Sequence, residues 1–142
     1  MIQDFEDLAE YILNNYRNKV VEVGVGNQPY VALLLKDRMD VVITDVSPCL
    51  DREVFQNSGI RFYMDDILNP DARIYKNSSL IYSIRPPIDL QEAIARTAKE
   101  AGADLLIRPF GDEKADLARI FRNYSLKNFK KARFYLYRAD IR

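Results

Sequence analysis

The chain has 142 residues, and 21 Lys plus Arg balance 21 Asp plus Glu, so a net charge of +0 selects neither nucleic acid nor a charged membrane surface as a partner. A hydrophobic content of 48% is enough for a sizeable core. With no His, the commonest general base and the commonest metal ligand are missing, so no metal is expected; a lone cysteine, Cys49, excludes an intramolecular disulfide and suits a reducing, cytoplasmic setting.

In chain order, Ile2, Phe5, Leu8, Ala9, Ile12, Leu13 and Tyr16 recur at three- and four-residue spacings and predict an amphipathic helix over 2–17. Asp4, Glu6, Asp7 and Glu10 crowd its first turns, where the helix dipole favours negative charge. Val20-Val21-Glu22-Val23 then reads as a buried strand, because β-branched residues suit a pleated surface. Gly24 and Gly26 permit a sharp turn with close approach of a ligand, and Pro29 fits the first position of a helix over 29–38 with Val31, Leu34 and Leu35 inward. A second strand, 41–44, ends at Asp45. Ser47-Pro48 caps a helix running through Phe55 and stopping before Gly59.

Ile60–Met64 is a third strand ending at Asp65-Asp66, and Asn69-Pro70 starts a short helix. Ser79–Ile84 is a fourth strand, closed by Arg85-Pro86-Pro87. Leu90, Ala93, Ile94 and Thr97 define a helix over 88–101, with Gly102 past its end. Asp104–Ile107 is a fifth strand, followed by Arg108-Pro109-Phe110-Gly111. A helix is expected over 113–123 with Leu117, Ile120, Phe121 and Tyr124 inward, then a strand, a tight turn and a strand from Ser125 to Arg138. No apolar run approaches the roughly 20 residues of a membrane span, and a signal-peptide pattern is absent.

Strands alternating with helices predict right-handed βαβ units. The expected architecture is a single α/β domain over 1–142, a three-layer, doubly wound, mostly parallel Rossmann-like sheet with a C-terminal antiparallel strand. Its ligand site belongs beyond the carboxyl ends of the strands, at the switch in strand order. The residues gathered there are Gly24, Gly26, Asp45, Asp65, Asp66, Arg85 and Arg108, with Glu22 just before the turn. A nicotinamide site wants G-x-G-x-x-G, and its third glycine is Pro29 here. Glu22 would repel a diphosphate but would help hold a cationic amino group.

Glu22-x-Gly24-x-Gly26, with acids ending the second and third strands, resembles the class I S-adenosylmethionine-dependent methyltransferases over roughly residues 15 to 110. A third glycine common in that motif is Gln28 here. The resemblance implies that the glycine turn cradles the methionine moiety. It also implies that Asp45 holds the ribose hydroxyls and that Asp66 or Asp65 contacts the adenine. A carboxylate, an acceptor-only group, suits a ribose diol. More narrowly, V-E-V-G-x-G, Tyr82-Ser83-Ile84-Arg85-Pro86-Pro87 and Phe134-Tyr135-Leu136-Tyr137 resemble a small uncharacterised archaeal family with a methyltransferase-like core. That resemblance implies a fold and no settled activity.

The fourth strand departs from the pattern of amino-methylating nucleic acid enzymes, in which Asp, Asn or Ser precedes Pro-Pro and an aromatic residue. The order here is Arg85-Pro86-Pro87-Ile88, which argues against base methylation by that route. Arg85 and Arg108 are read as a clamp for an anionic small-molecule substrate, set against ordinary pairing with Asp66, Asp89, Asp112 or Glu113. Lys127, Lys130, Lys131, Arg133, Arg138 and Arg142 interleave with aromatics near the C-terminus, and the favoured reading is a hairpin whose aromatics fill the core. Two functions are expected in order of preference. The first is a small S-adenosylmethionine-dependent methyltransferase; the second is a non-catalytic module working through protein or RNA contacts.

Overall fold

The computed structural model describes residues 4–24, 29–47 and 58–140. Ile2, Gly26, Cys49 and the helix expected from Pro48 through Phe55 lie outside the described residues. The elements run α1 (Phe5–Asn15), β1 (Lys19–Val23), α2 (Tyr30–Leu35), β2 (Asp40–Asp45), β3 (Arg61–Met64), α3 (Ala72–Tyr75), β4 (Ser78–Ile84), α4 (Ile88–Ala101), β5 (Asp104–Arg108), β6 (Tyr124–Phe129) and β7 (Ala132–Tyr137).

The strands form one sheet in the order β3-β2-β1-β4-β5-β7-β6. The first five pair in parallel, and β7 runs antiparallel to both β5 and β6. Strand alternation divides the core. Val20, Val41, Ile43, Leu80, Tyr82, Leu106, Phe134 and Leu136 face α1 and α2. Their neighbours Val21, Val42, Ile81, Leu105, Ile107 and Tyr137 face α4, with Tyr75 of α3. Strands buried on both faces account for the near-continuous apolar runs in the sequence. The mostly parallel Rossmann-like sheet with an antiparallel C-terminal strand is therefore present.

α4 spans the expected residues and ends on Gly102 at φ 72°. That left-handed position suits glycine, and the Gly102 N–H closes the helix by donating to the carbonyl of Lys99. α3 begins two residues after Asn69-Pro70, where Asp71 caps it through the N–H of Arg73. Two expectations fail. Leu34 points outward and is 46% exposed, because Val31, Ala32 and Leu35 supply the inner face of the short α2.

The helix expected over 113–123 does not form either. The segment makes one turn, in which the N–H groups of Ile120 and Phe121 donate to the carbonyl of Leu117, and Asp116 receives the N–H of Ala118. That turn buries Leu117, Ile120 and Phe121, whereas Tyr124 begins β6 and is exposed. Gln91, fully buried on α4, fastens the segment. Its amide donates to the carbonyls of Glu113 (2.7 Å) and Pro86 (3.2 Å) and accepts the N–H of Ala115 (2.8 Å).

Candidate functional site

The strand order reverses between β1 and β4, and a cleft opens there at the carboxyl edge. Gly24 follows β1 at φ 72°, and its N–H donates to the carbonyl of Thr44 (2.8 Å), tying the turn to β2. Ser83 Oγ donates to the carbonyl of Val23 (2.8 Å), tying β4 to β1 beneath it. Asp45 ends β2 and forms one wall, where its carboxylate receives the N–H of Ser47 (3.1 Å). Arg85, Pro86 and Pro87 form the opposite wall. Ile67, Leu90 and Ile94 make the apolar floor.

The described walls enclose about 120 Å³, less than the ~300–1,000 Å³ of a complete small-molecule pocket. The volume is that between the described residues alone. Among the described residues three hollows are larger: one at the amino edge beside α3 and the end of α4, one beside β5 and β7, and one between α1 and α2. The switch point, the glycine turn and the strand-end acid distinguish the cleft from all three.

The expected site residues separate into groups. Gly24, Asp45, Asp65 and Arg85 line the cleft. Gly26 lies outside the described residues. Asp65 is already engaged on both oxygens, receiving the Tyr75 hydroxyl (2.6 Å) and the N–H of Asp71 (3.0 Å). Asp66 is exposed and makes a turn, accepting the N–H of Leu68 (2.9 Å).

Glu22 is on the other side of the sheet, because it shares the parity of Val20. Its carboxyl receives the Tyr82 hydroxyl at 2.8 Å in the layer beneath α1 and α2. Full burial pushes its pKa up to about 8, against the lowering effect of the Tyr82 hydrogen bond. There its partner is the Tyr82 hydroxyl, in a layer apart from the residues that line the cleft.

Arg85 stands in the left-handed region at φ 54°, with its guanidinium carbon 5.7 Å from the centre of the Phe5 ring. Arg108 does not share its cleft. Its Nε donates to Asp4 (2.8 Å) and its Nη1 to the carbonyl of Pro109 (3.1 Å), and it lines the hollow beside β7. None of the acids weighed as its partner in the sequence holds it; the partner comes from the start of α1.

Sequence reasoning passed over Ser83, Tyr75 and Gln91. Gln91 carried a signal, since it falls on the inward face with Ile94 and Ala98. Among the described residues no group of three or more His, Cys, Asp and Glu side chains gathers at a metal-binding spacing, and no helix is long and apolar enough to cross a membrane.

Fold and switch point together define a Rossmann-like protein of methyltransferase-like topology. Solved structures share it. The methyltransferase domain of bacterial CtHen1-C superimposes with a TM-score of 0.70 at 11% identity, covering 97% of this chain and 98% of that one. The antibiotic-resistance methyltransferase Kmr gives 0.66 at 11% identity, covering 96% and 93%. CalS10, an amino pentose methyltransferase from Micromonospora echinaspora solved with SAM bound, gives 0.60 at 14% identity, covering 89% and 57%.

The family model described as "Uncharacterised protein family (UPF0146)" matches residues 5–139, and the chain belongs to that family. A UPF0146 protein of Archaeoglobus fulgidus is 43% identical over 135 residues, covering 94% of each chain. A UPF0146 protein of Methanothermobacter thermautotrophicus is 35% identical over 142 residues, covering 97% of this chain and 98% of its own.

Proposed function

We propose that the cleft between β1, β2 and β4 binds S-adenosylmethionine and that the protein is a small methyltransferase. One observation carries the reading: Gly24, in a conformation that favours glycine, and Asp45, at the end of the neighbouring strand, face one cleft at the switch point of the sheet. Similarity to solved methyltransferases supports it. Asp45 would accept the hydrogens of the ribose diol. Gly24 would let the methionine end approach the backbone, and Arg85 at the mouth would meet an anionic group of ligand or acceptor.

S-adenosylmethionine, when bound, supplies an electrophilic methyl group. What this chain contributes is orientation and a dry floor at Ile67, Leu90 and Ile94, and positioning alone is worth much in such a transfer. Asp65 enters only as the prop for Tyr75, and Glu22 as a core residue. Calorimetric titration with S-adenosylmethionine and S-adenosylhomocysteine tests the reading. Both are expected to bind, and Asp45→Ala is expected to weaken them about ten-fold or more, the loss of one or two hydrogen bonds to a charged acceptor. Unchanged affinity in Asp45→Ala, or no binding by the parent protein, would remove the cleft from this role.

A further inference from the structure

The hollow beside β5, β7 and β6 has a chemistry that the cleft does not use. On one face of the β6–β7 ladder Leu126 stands opposite Tyr135, and Asn128 opposite Arg133. A helix over 113–123 would cover this face. The single turn that replaces it covers only the Tyr137 end, through Phe121, whose ring centre is 5.8 Å from that of Tyr137. Leu126 is left 38% exposed and Tyr135 half-buried, and the two line a hollow of about 340 Å³. That volume is within the range of small-molecule sites.

The rim is cationic. Arg108, Lys131 and Arg133 line the hollow, and Lys114 Nζ stands 5.1 Å from the centre of the Tyr135 ring. The side chains of Lys131 and Arg133 make no hydrogen bond or ion pair among the described residues, and Nη2 of Arg108 is unused. Against these four cations stand Asp112, Asp4 (committed to Arg108) and Asp7, whose carboxylate receives the backbone N–H of Lys131. The balance is positive although the whole chain is neutral. An aromatic floor with unpaired cations at its edge suits a ligand that is a flat ring at one end and an anion at the other. A plain anion would leave Tyr135 and Leu126 unused, and an apolar ligand would leave the cations unused.

We propose that this hollow binds a nucleotide, its base against Tyr135 and Leu126 and its phosphate between Lys131 and Arg133. The nucleotide is either free or a residue of single-stranded RNA. The site stands independently of the S-adenosylmethionine reading, because its binding is measured with that ligand absent.

The experiment is calorimetric titration with AMP, UMP, adenosine and inorganic phosphate, beside fluorescence anisotropy with a 3′-fluorescein-labelled uridine decamer. Nucleotide or decamer is expected to bind, with adenosine and phosphate each about ten-fold weaker or more, since each supplies half the contacts. Arg133→Gln and Lys131→Gln are each expected to weaken binding about five-fold or more, with unchanged circular dichroism and thermal midpoint, while Lys36→Gln on α2's far end has no effect. Binding of AMP or UMP equal to that of the decamer assigns a free nucleotide. Binding of the decamer alone, with affinity falling as salt rises, assigns an RNA strand. No binding of either, equal affinity for phosphate and AMP, or binding untouched by both substitutions would overturn the proposal.

Discussion

The backbone N–H of Arg85 donates to the carbonyl of Arg108 over 2.7 Å, yet the two guanidinium groups serve different hollows. β4 and β5 are adjacent parallel strands that end in register, Ile84 beside Arg108. Arg85 then takes φ 54°, which redirects its side chain over Phe5, while Arg108 reaches back to Asp4 at the head of α1. The two arginines thereby stand on either side of a shared border, one beside each hollow.

The Asp4–Arg108 pair is mostly buried, with side-chain exposures of 11% and 19%. Asp4→Ala leaves a half-buried guanidinium without its carboxylate and is expected to destabilise the fold by about 2–4 kcal/mol. A joint Asp4→Leu, Arg108→Met replacement is expected to recover most of that loss, because it removes the desolvated charges together. Urea unfolding of the three proteins measures both effects. A loss below about 1 kcal/mol for Asp4→Ala would mean that the pair behaves like an exposed one.

Asp65 and Asp45 both line the cleft but are expected to respond differently to removal. Asp65 receives a buried hydroxyl and a backbone N–H, so Asp65→Ala should destabilise the protein by about 2–3 kcal/mol, and Tyr75→Phe by about 1–2 kcal/mol. Asp45→Ala should change stability by less than about 1 kcal/mol, because the Ser47 N–H that its carboxylate accepts closes an exposed turn. Thermal unfolding of the three variants without ligand separates the structural acid from the one proposed to bind ligand.

Glu22 predicts a pH dependence of stability. Its ordinary value is 4.5 and in the fold it is pushed up to about 8, so between these the native protein holds a proton that the unfolded chain has released. Stability contributed here therefore falls as pH rises from about 4.5 to about 8, by on the order of 1 kcal/mol per pH unit, and levels off above. Glu22→Gln keeps an acceptor for the Tyr82 hydroxyl and has no proton to lose. It is expected to match the parent near the acid end of that window and to exceed its stability at the alkaline end. Urea midpoints across the window test this, and parallel curves for the two proteins would refute the assignment.

Gly24 is a matter of conformation rather than space. A Cβ built there meets nothing within 4 Å of the described atoms, while φ is 72°. Gly24→Ala is expected to destabilise by about 1–2 kcal/mol through the left-handed backbone alone, with Gly24→Asn milder. A thermal midpoint for Gly24→Asn no higher than that for Gly24→Ala would contradict a conformational origin.

The order and type of the described strands, and α1 and α4, were legible because both layers enforce a strict period. Val20 and Val21 point to opposite layers, as do Leu80 and Ile81, and α4 carries a clean helical stripe capped by Gly102. The helix over 113–123 was misread for a physical reason. Leu117, Ile120 and Phe121 have helical spacing because they do occupy one turn, but a single turn satisfies that spacing as well as three would. Continuation is replaced by the side chain of Gln91, a long-range contact that local periodicity does not encode. At the site, strand ends located Gly24, Asp45 and Arg85. Which side of the sheet Glu22 takes follows from its register with Tyr82, and which partner Arg108 takes depends on the head of α1; neither is a local property.

β6 reaches the sheet only through β7, and α1 grips their turn: Glu10 holds Lys130 Nζ at 2.7 Å, and Asp7 receives the N–H of Lys131 at 2.9 Å. The order of assembly follows from this. The β6–β7 hairpin is local in sequence and needs no other strand to close, whereas α1 gains its grips on Lys130 and Lys131 only when the hairpin docks. The Lys131–Arg133 rim therefore takes its place against α1 through the meeting of segments more than a hundred residues apart. Slow, non-local closure of this kind is what limits folding rates in sheets of high contact order.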